Sequence, residues 1–509
     1  MGIKLTMLIL FFAVMVAVGV YARKHTNSVD GFVLGGRSVG PWLTAFAYGT
    51  SYFSAVVFVG YAGQFGWKYG LASTWIGLGN AVIGSLLAWV VLGRRTKVMT
   101  RHLKSKTMPD FFGERYESKA LKLAASAIVF VFLVPYTASI YNGLSRLFEM
   151  AFHVPYTWCV IAMAVFTGIY VILGGYMATA INDFIQGIIM LGGIIAVIAA
   201  VLSGQGGFME AVRKMAEIPS DVEVTLGQPG AFTSFFGPDP LNLLGVVILT
   251  SLGIWGLPQM IGKFYAIKDE KSINTGTVIS TIFAVIISGG CYFLGGFGRL
   301  FDSPAVYDEA GNVVFDSIIP YMLSGLSDVL IGIVVVLVLS ASMSTLASLV
   351  LTSSSTLTLD FLKGNLLKHA DDKKLVRAMQ MLIVFFIAVS VVLAVNPPTF
   401  IAQLMGISWG ALAGAFLAPF LYGLYWKRVT KAAVWASFII GVGITVSNMF
   451  LHYIESSINA GAAAMLAGLI VVPAVSVLTP KPDAQRMEEL FSCYEEKVTI
   501  TKKRSLETK

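Results

Sequence analysis

The sequence predicts an all-α polytopic membrane protein with thirteen transmembrane helices. Three observations carry that prediction. The composition is 56% hydrophobic and only 13% charged, against about 45–50% and about 25% for a soluble protein. Apolar runs such as Ile331 to Leu339 are long and unbroken, which excludes the alternating ~10-residue segments of a membrane barrel. The positive charges gather in alternate connections. A span takes ~20 apolar residues to cross ~30 Å of hydrocarbon, so 509 residues hold a dozen or more.

Hydropathy places the segments at 5–22, 42–62, 71–93, 123–150, 157–174, 181–203, 241–258, 275–299, 328–358, 377–395, 399–425, 432–452 and 459–479. The first runs into Tyr21-Ala22-Arg23-Lys24 with no small-residue cleavage site, so it reads as a retained span rather than a signal peptide. Segments two to six and seven to eleven are two sets of five. Because five is odd, the second set must be inverted relative to the first, which is the arithmetic of an inverted-repeat carrier. One membrane domain is expected over 1–479, with repeats at about 42–203 and 241–425 and a cytoplasmic tail over 480–509.

The chain has 36 Lys and Arg against 28 Asp and Glu. In a soluble protein that excess would suit nucleic acid. Here it sorts by side of the membrane, and no nucleic-acid partner is expected. Thirty of these cations fall in one set of loops and the tail, five on the other side, and Arg146 inside a span. The positive-inside rule therefore sets the N-terminus outside and the C-terminus in the cytoplasm of a multi-pass cell-membrane protein. Cys159, Cys291 and Cys493 lie too far apart in sequence to form a disulfide framework. Five scattered histidines make no metal-spaced cluster. The 204–240 loop, with an amphipathic stretch Gly207 to Glu217, and the tail, with a short surface helix expected over Met487 to Tyr494, are too small for a core of their own. No paired acid–base residues suited to an enzyme appear at depth, and no charged ring or filter repeat suited to a channel.

Three places interrupt the apolar pattern. Ala47 to Ser54 clusters small and hydroxyl residues, with Gly49 as a candidate break. A helix unwound there frees carbonyls that a cation could satisfy, although such residues also serve close helix packing. Ser340 to Ser348 places Ser344 and Ser348 on one face with Ala341. Hydroxyls and a carbonyl are hard oxygen ligands suited to an alkali cation, although hydroxyls also bond back to the preceding turn. Asp183, in Ala180-Ile181-Asn182-Asp183-Phe184-Ile185-Gln186, is an intramembrane carboxylate with no cationic neighbour in sequence. That makes it a functional candidate or a helix-start Asp favoured by the dipole.

With Gly35-Gly36-Arg37-Ser38, these stretches resemble the sodium/solute symporter family over about residues 30–430. Met108-Pro109-Asp110-Phe111-Phe112, Gly256-Leu257-Pro258 with Lys263-Phe264, and Gly423 to Arg428 also match in order and spacing. The resemblance implies a LeuT-type five-plus-five core with one extra N-terminal and two extra C-terminal helices. It also implies sodium-coupled uptake of a small organic solute by alternating access. The family's main sodium site falls on the carbonyls of Thr50, Phe53 and Ala341 and the hydroxyls of Ser344 and Thr345. Asp183 and Ser348 become candidates for a second sodium or an exit route, but one hydroxyl position expected there reads Ala347. Within the family the chain is most similar to sodium/proline and sodium/pantothenate symporters. Proline carriers have an aspartate where this chain has Tyr52, and a Trp and a Tyr where it has Thr250 and Ile254. The implied cargo is an amino acid such as proline or another carboxylate, such as pantothenate or a monocarboxylate, near Ser54, Tyr136, Thr250, Ile254 and Trp255. The carboxylate is expected on backbone N–H groups rather than Lys or Arg, since Arg146 is the one base read inside a span. A second class of function is a transporter-like membrane sensor acting through a separate signalling chain. The sequence does not set the oligomeric state, and a monomer is compatible with it.

Overall fold

A computed structural model of the chain describes residues 2–23, 26–367, 369–396 and 399–495. Among them the secondary structure is helical, apart from two isolated bridges, Val39 with Ile267 and Tyr307 with Val313. The principal helices are α1 (Gly2–Ala22), α2 (Pro41–Tyr52), α3 (Val56–His102), α4 (Lys119–Phe152), α5 (Tyr156–Gly204), α6 (Pro240–Leu252), α7 (Pro258–Ala266) and α8 (Glu270–Gly295). They continue with α9 (Asp328–Leu362), α10 (Asp372–Val395), α11 (Ile401–Tyr425), α12 (Lys431–Leu451) and α13 (Ser457–Leu478).

Among the described residues, ten helices are long and apolar enough to cross a membrane, or eleven when α6 and α7 count as one span bent by 47°. Two of the ten are too long for one crossing. At ~1.5 Å per residue, α3 and α5 would each run ~70 Å, more than twice the hydrocarbon thickness. Each contains a glycine with a backbone that side-chain-bearing residues rarely adopt: Gly70 at φ 60°, ψ −140° and Gly175 at φ 53°, ψ −147°. These kinks coincide with the boundaries between segments two and three and between segments five and six.

Burial orders the helices. In the most apolar 18-residue window of each, α11 is 89% buried and α9 83%, whereas α1 is 17% and α12 33%. The two central helices therefore take protein on nearly every face, and the added terminal helices present theirs outward. Next to α9 lie α2, α4, α5 and α10. Tyr170 on α5 donates to the Met343 carbonyl on α9 at 2.6 Å.

One interruption differs from the sequence reading. Gly49 is helical; an added Cβ there would lie 2.4 Å from the Phe283 ring, so its small size serves close packing. The helix instead ends four residues later, at Phe53 (φ −111°, ψ 98°). The hydroxyl-rich stretch of α9 stays helical throughout, with its hydroxyls turned into the core. Outside the spans, Phe208–Glu217 is a helix, as its amphipathic pattern predicts. The tail forms a helix over Ala484–Ser492; residues 496–509 lie outside the described residues.

The kink at Gly175 can be tested by substitution. An added Cβ would meet the Phe32 carbonyl at 2.8 Å, on top of a backbone conformation costing ~1–3 kcal/mol for other residues. Gly175→Ala is expected to lower the thermal midpoint of detergent-purified protein accordingly. Gly192→Ala, whose methyl meets nothing within 4 Å, is expected to leave it unchanged.

Candidate functional site

The break after α2 sets the geometry. Ser54 restarts the chain: its hydroxyl accepts from the Val56 N–H at 3.2 Å, and its carbonyl from Val57 and Phe58 at 3.0 and 3.1 Å. The last turn of α2 consequently has carbonyls without helical partners, and α9 supplies donors. Ser344 Oγ lies 2.9 Å from the Thr50 carbonyl and 3.1 Å from that of Ala341. Thr345 Oγ1 lies 3.3 Å from the carbonyls of both Thr50 and Ser51 and 3.1 Å from Ala341. The Thr50 hydroxyl turns away to the Phe46 carbonyl at 2.8 Å, leaving its own carbonyl as the group it contributes. Thr50, Ala341, Ser344 and Thr345 are thus brought together, all nearly inaccessible. Phe53 stands beside them, lining a small void with Ser54 and Ala341.

One turn further along α9, Ser51 Oγ and Ser348 Oγ are 2.8 Å apart. Lys263, on α7, donates to Ser348 Oγ at 2.9 Å, and its ammonium is 3.7 Å from Asp183 Oδ2. Asp183, Lys263 and Ser348 are all buried. This corrects two expectations. Asp183 has a cationic partner, supplied from eighty residues away in sequence. Arg146 is not the one base inside a span, and its own side chain is half-exposed and paired with Glu149. The helix-dipole reading of Asp183 also falls, because the residue lies two turns beyond Gly175 and the dipole acts within the first turn.

The five residues expected near the solute surround the other side of the break. Tyr52 donates to the Thr250 carbonyl at 2.5 Å, tying α2 to α6. The Tyr52 ring stacks on Phe53, with centroids 4.2 Å apart, and lies 6.2 Å from Trp409. Tyr136 meets the same Trp409 edge-on at 5.8 Å. The Tyr136 hydroxyl and the Trp409 indole N–H are both buried and face each other. Ile254 and Trp255 lie in the short turn Gly253–Gly256 that joins α6 to the break at Leu257, where the Trp255 indole donates to the Ile83 carbonyl at 3.0 Å. Thr250 spends its hydroxyl on Val246 within its own helix. Ser54 caps the next helix.

The break after α2 therefore has carbonyl and hydroxyl oxygens on one side and aromatic side chains on the other. A family model described as the Sodium:solute symporter family matches residues 32–441. The chain belongs to that family. Osmoregulated proline transporter OpuE of Bacillus subtilis is 28% identical, over 96% of this chain and 96% of its own. A sodium/proline symporter of Staphylococcus aureus is 30% identical, over 94% and 93%. Among solved structures, a Na+-coupled sialic acid symporter in a substrate-bound, outward-open state superposes with a TM-score of 0.75 at 16% identity, over 94% of this chain and 99% of that one. The fold is thus that of LeuT-like transporters. This sodium:solute symporter is a multi-pass membrane protein that couples sodium to a small organic solute; it is a transporter, not an enzyme.

Two residues of the symporter's site escaped the sequence reading. Trp409 stands in Ile407-Ser408-Trp409-Gly410, a large aromatic between small residues, and that contrast was the available signal. Lys263 lies five residues beyond the hydropathy segment 241–258 and was counted with the loops. The signal was Pro258, which starts a new helix at its first position.

The Lys263 pair changes what Asp183→Asn should do. Removing one partner of a buried ion pair costs about 3–5 kcal/mol, far above the ~0.3–1 kcal/mol of a dipole contact. A matching loss in thermal stability of purified protein is expected, and Asp183→Asn with Lys263→Met, which leaves no unpaired charge, should recover most of it.

Proposed function

We propose that this symporter imports a small carboxylate-bearing solute together with sodium by alternating access. Sodium is held by the carbonyls of Thr50, Phe53 and Ala341 and the hydroxyls of Ser344 and Thr345. The solute lies near Ser54, Tyr136, Thr250, Ile254 and Trp255, with Tyr52 and Trp409 added to that set. The observation that carries the reading is the meeting of Ser344 and Thr345 with the freed Thr50 carbonyl at 2.9 and 3.3 Å. An ion there touches both the broken helix α2 and the continuous helix α9, so it favours the state in which they are together. By linkage, solute and sodium each raise the other's affinity by the same factor, typically ~5–150-fold.

The cargo is argued from what lines the break. No Lys or Arg stands among these residues, and Lys263 is engaged by Asp183 and Ser348. A carboxylate would therefore meet the half-helix N-termini that begin after Ser54 and Leu257, where backbone N–H groups point outward and the dipole favours negative charge. The relatives named as proline transporters put proline in the candidate panel. The Tyr52 phenol on the Thr250 carbonyl fills space where proline carriers have an aspartate, and this favours a carboxylate of different shape.

The expected thirteen crossings have support in the fold. The ten long helices become eleven with the bent pair, and α3 and α5 each count twice if they turn at Gly70 and Gly175. An odd number sets the termini on opposite sides. The charge bias then puts the N-terminus outside even with Lys263 removed from the loop count. The breaks after α2 and after α6 fall at the first helix of each five-helix set, supporting inverted repeats at about 42–203 and 241–425.

Two measurements test this reading. Proteoliposomes offered labelled proline, pantothenate and short monocarboxylates should accumulate one of them under an inward sodium gradient; uptake driven by a proton gradient alone would sink the sodium site. Ser344→Ala with Thr345→Ala removes two oxygen ligands and little volume. At ~1.5–3 kcal/mol for each contact to a charge, half-activation should need ~100-fold more sodium or beyond, and an unchanged sodium curve would take the site away from α9.

A further inference from the structure

We infer that Lys263 is a tethered cation standing where a second sodium would bind, so that this symporter couples one sodium to each solute. The inference rests on the sodium site proposed above and goes beyond it, to the ion stoichiometry.

The resemblance to the family offers Asp183 and Ser348 as partners of a second ion. In the structure both already face a positive charge. The Lys263 ammonium is 2.9 Å from Ser348 Oγ and 3.7 Å from Asp183 Oδ2, and it lies 5.4 Å from the centroid of the Tyr176 ring. A carboxylate, a hydroxyl and an aromatic face are groups that coordinate a small cation, and here an ammonium has them. The ion pair is sealed from solvent, at 3% and 1% side-chain exposure. Among the described residues, no other base lies within ion-pair distance of Asp183. A sodium ion reaching the same oxygens would stand within a few ångströms of a like charge in a medium that screens poorly. The ligand set is also short by one: Ala347 occupies a position where the resemblance expects a hydroxyl.

The placement links the charge to transport. Ser348 Oγ is 2.8 Å from Ser51 Oγ, and the Ser51 carbonyl accepts from Thr345. The ammonium is therefore one hydroxyl pair away from the main ion site. A cavity running from Lys263 and Ser348 past Thr352 and Ser355 reaches Lys106 and Thr107 at the cytoplasmic end. Lys263 rides on α7, the second half of the broken helix whose first half carries Thr250. A charge fixed to that helix moves with it and is never released, so it adds no ion to the stoichiometry.

The test is equilibrium binding of radioactive sodium to detergent-purified full-length protein, which needs no knowledge of the solute. Wild type and Lys263→Arg should saturate at one ion per protein with a hyperbolic isotherm. Lys263→Met, which frees Asp183 and Ser348, should bind twice as many ions, and adding Asp183→Asn should return it to one. Two ions on wild type overturn the inference while leaving the main site standing. So does a Lys263→Met protein that folds and still binds one. No saturable sodium on wild type overturns the proposed sodium site itself, and this inference with it. The wild-type count needs no variant, so the inference can be tested even if Lys263→Met misfolds.

Discussion

A broken helix inside hydrocarbon is the constraint on which the rest of this molecule depends. An unsatisfied backbone group at that depth costs several kcal/mol, so irregular backbone survives only where protein or polar solvent meets it. The end of α2 therefore needs a neighbour that presents donors at one level, and α9 presents Ser344 and Thr345 side by side. That need explains why α9 stays straight through a stretch rich in Ser and Thr, and why it is among the most buried helices in the bundle. It also explains why the outer helices can be plain apolar cylinders. The break after α6 is handled differently: Leu257 accepts from Met260 and Ile261 at 3.1 Å, and Pro258 gives up an N–H that would have had no partner.

The short motifs that suggested the family divide by role once their surroundings are visible. Thr107 caps the helix Met108–Arg115, and its hydroxyl bonds Asp360 at the foot of α9. Asp110 pairs with Lys122, which also reaches Asp360 at 3.4 Å. Phe111 and Phe112 pack on Phe420 and Phe416 of α11. Arg115 donates to the carbonyls of Gly423 and Trp426, which joins two of the motifs directly. These residues clamp together one end each of α4, α9 and α11. Such a cluster serves architecture, whereas the Ser344 and Thr345 hydroxyls of α9 face the freed carbonyl of Thr50.

Fold class and the hydroxyl cluster were readable because each leaves a one-dimensional trace. Apolar runs mark the helices, and a knot of Ser and Thr in such a run marks α9. The break in α2 was read four residues early because glycine is ambiguous: Gly49 is small to admit the Phe283 ring, while Phe53 and Ser54, where the helix ends, carry no breaker residue. Lys263 was read as a loop cation because hydropathy sees the end of an apolar run at Pro258 and not the buried half-helix beyond it. Its partner Asp183 is eighty residues away, and an ion pair closed only by tertiary structure leaves no local pattern. Tyr52 and Trp409 were missed as a pair for the same reason: their rings meet across two helices far apart in the chain.

The division of labour at the α2 break also bears on how such a protein can change over generations. Three of the five proposed sodium ligands are main-chain carbonyls, and a point substitution alters a side chain while leaving its carbonyl in place. At Thr50 the separation is explicit, since the side chain bonds Phe46 and only the backbone faces α9. The solute side proposed for the same break is built from side chains: Tyr52, Tyr136, Ile254, Trp255 and Trp409. Mutation therefore reaches cargo preference directly and ion chemistry at only two hydroxyls, so a lineage built on this scaffold can explore new solutes while its energy source stays fixed.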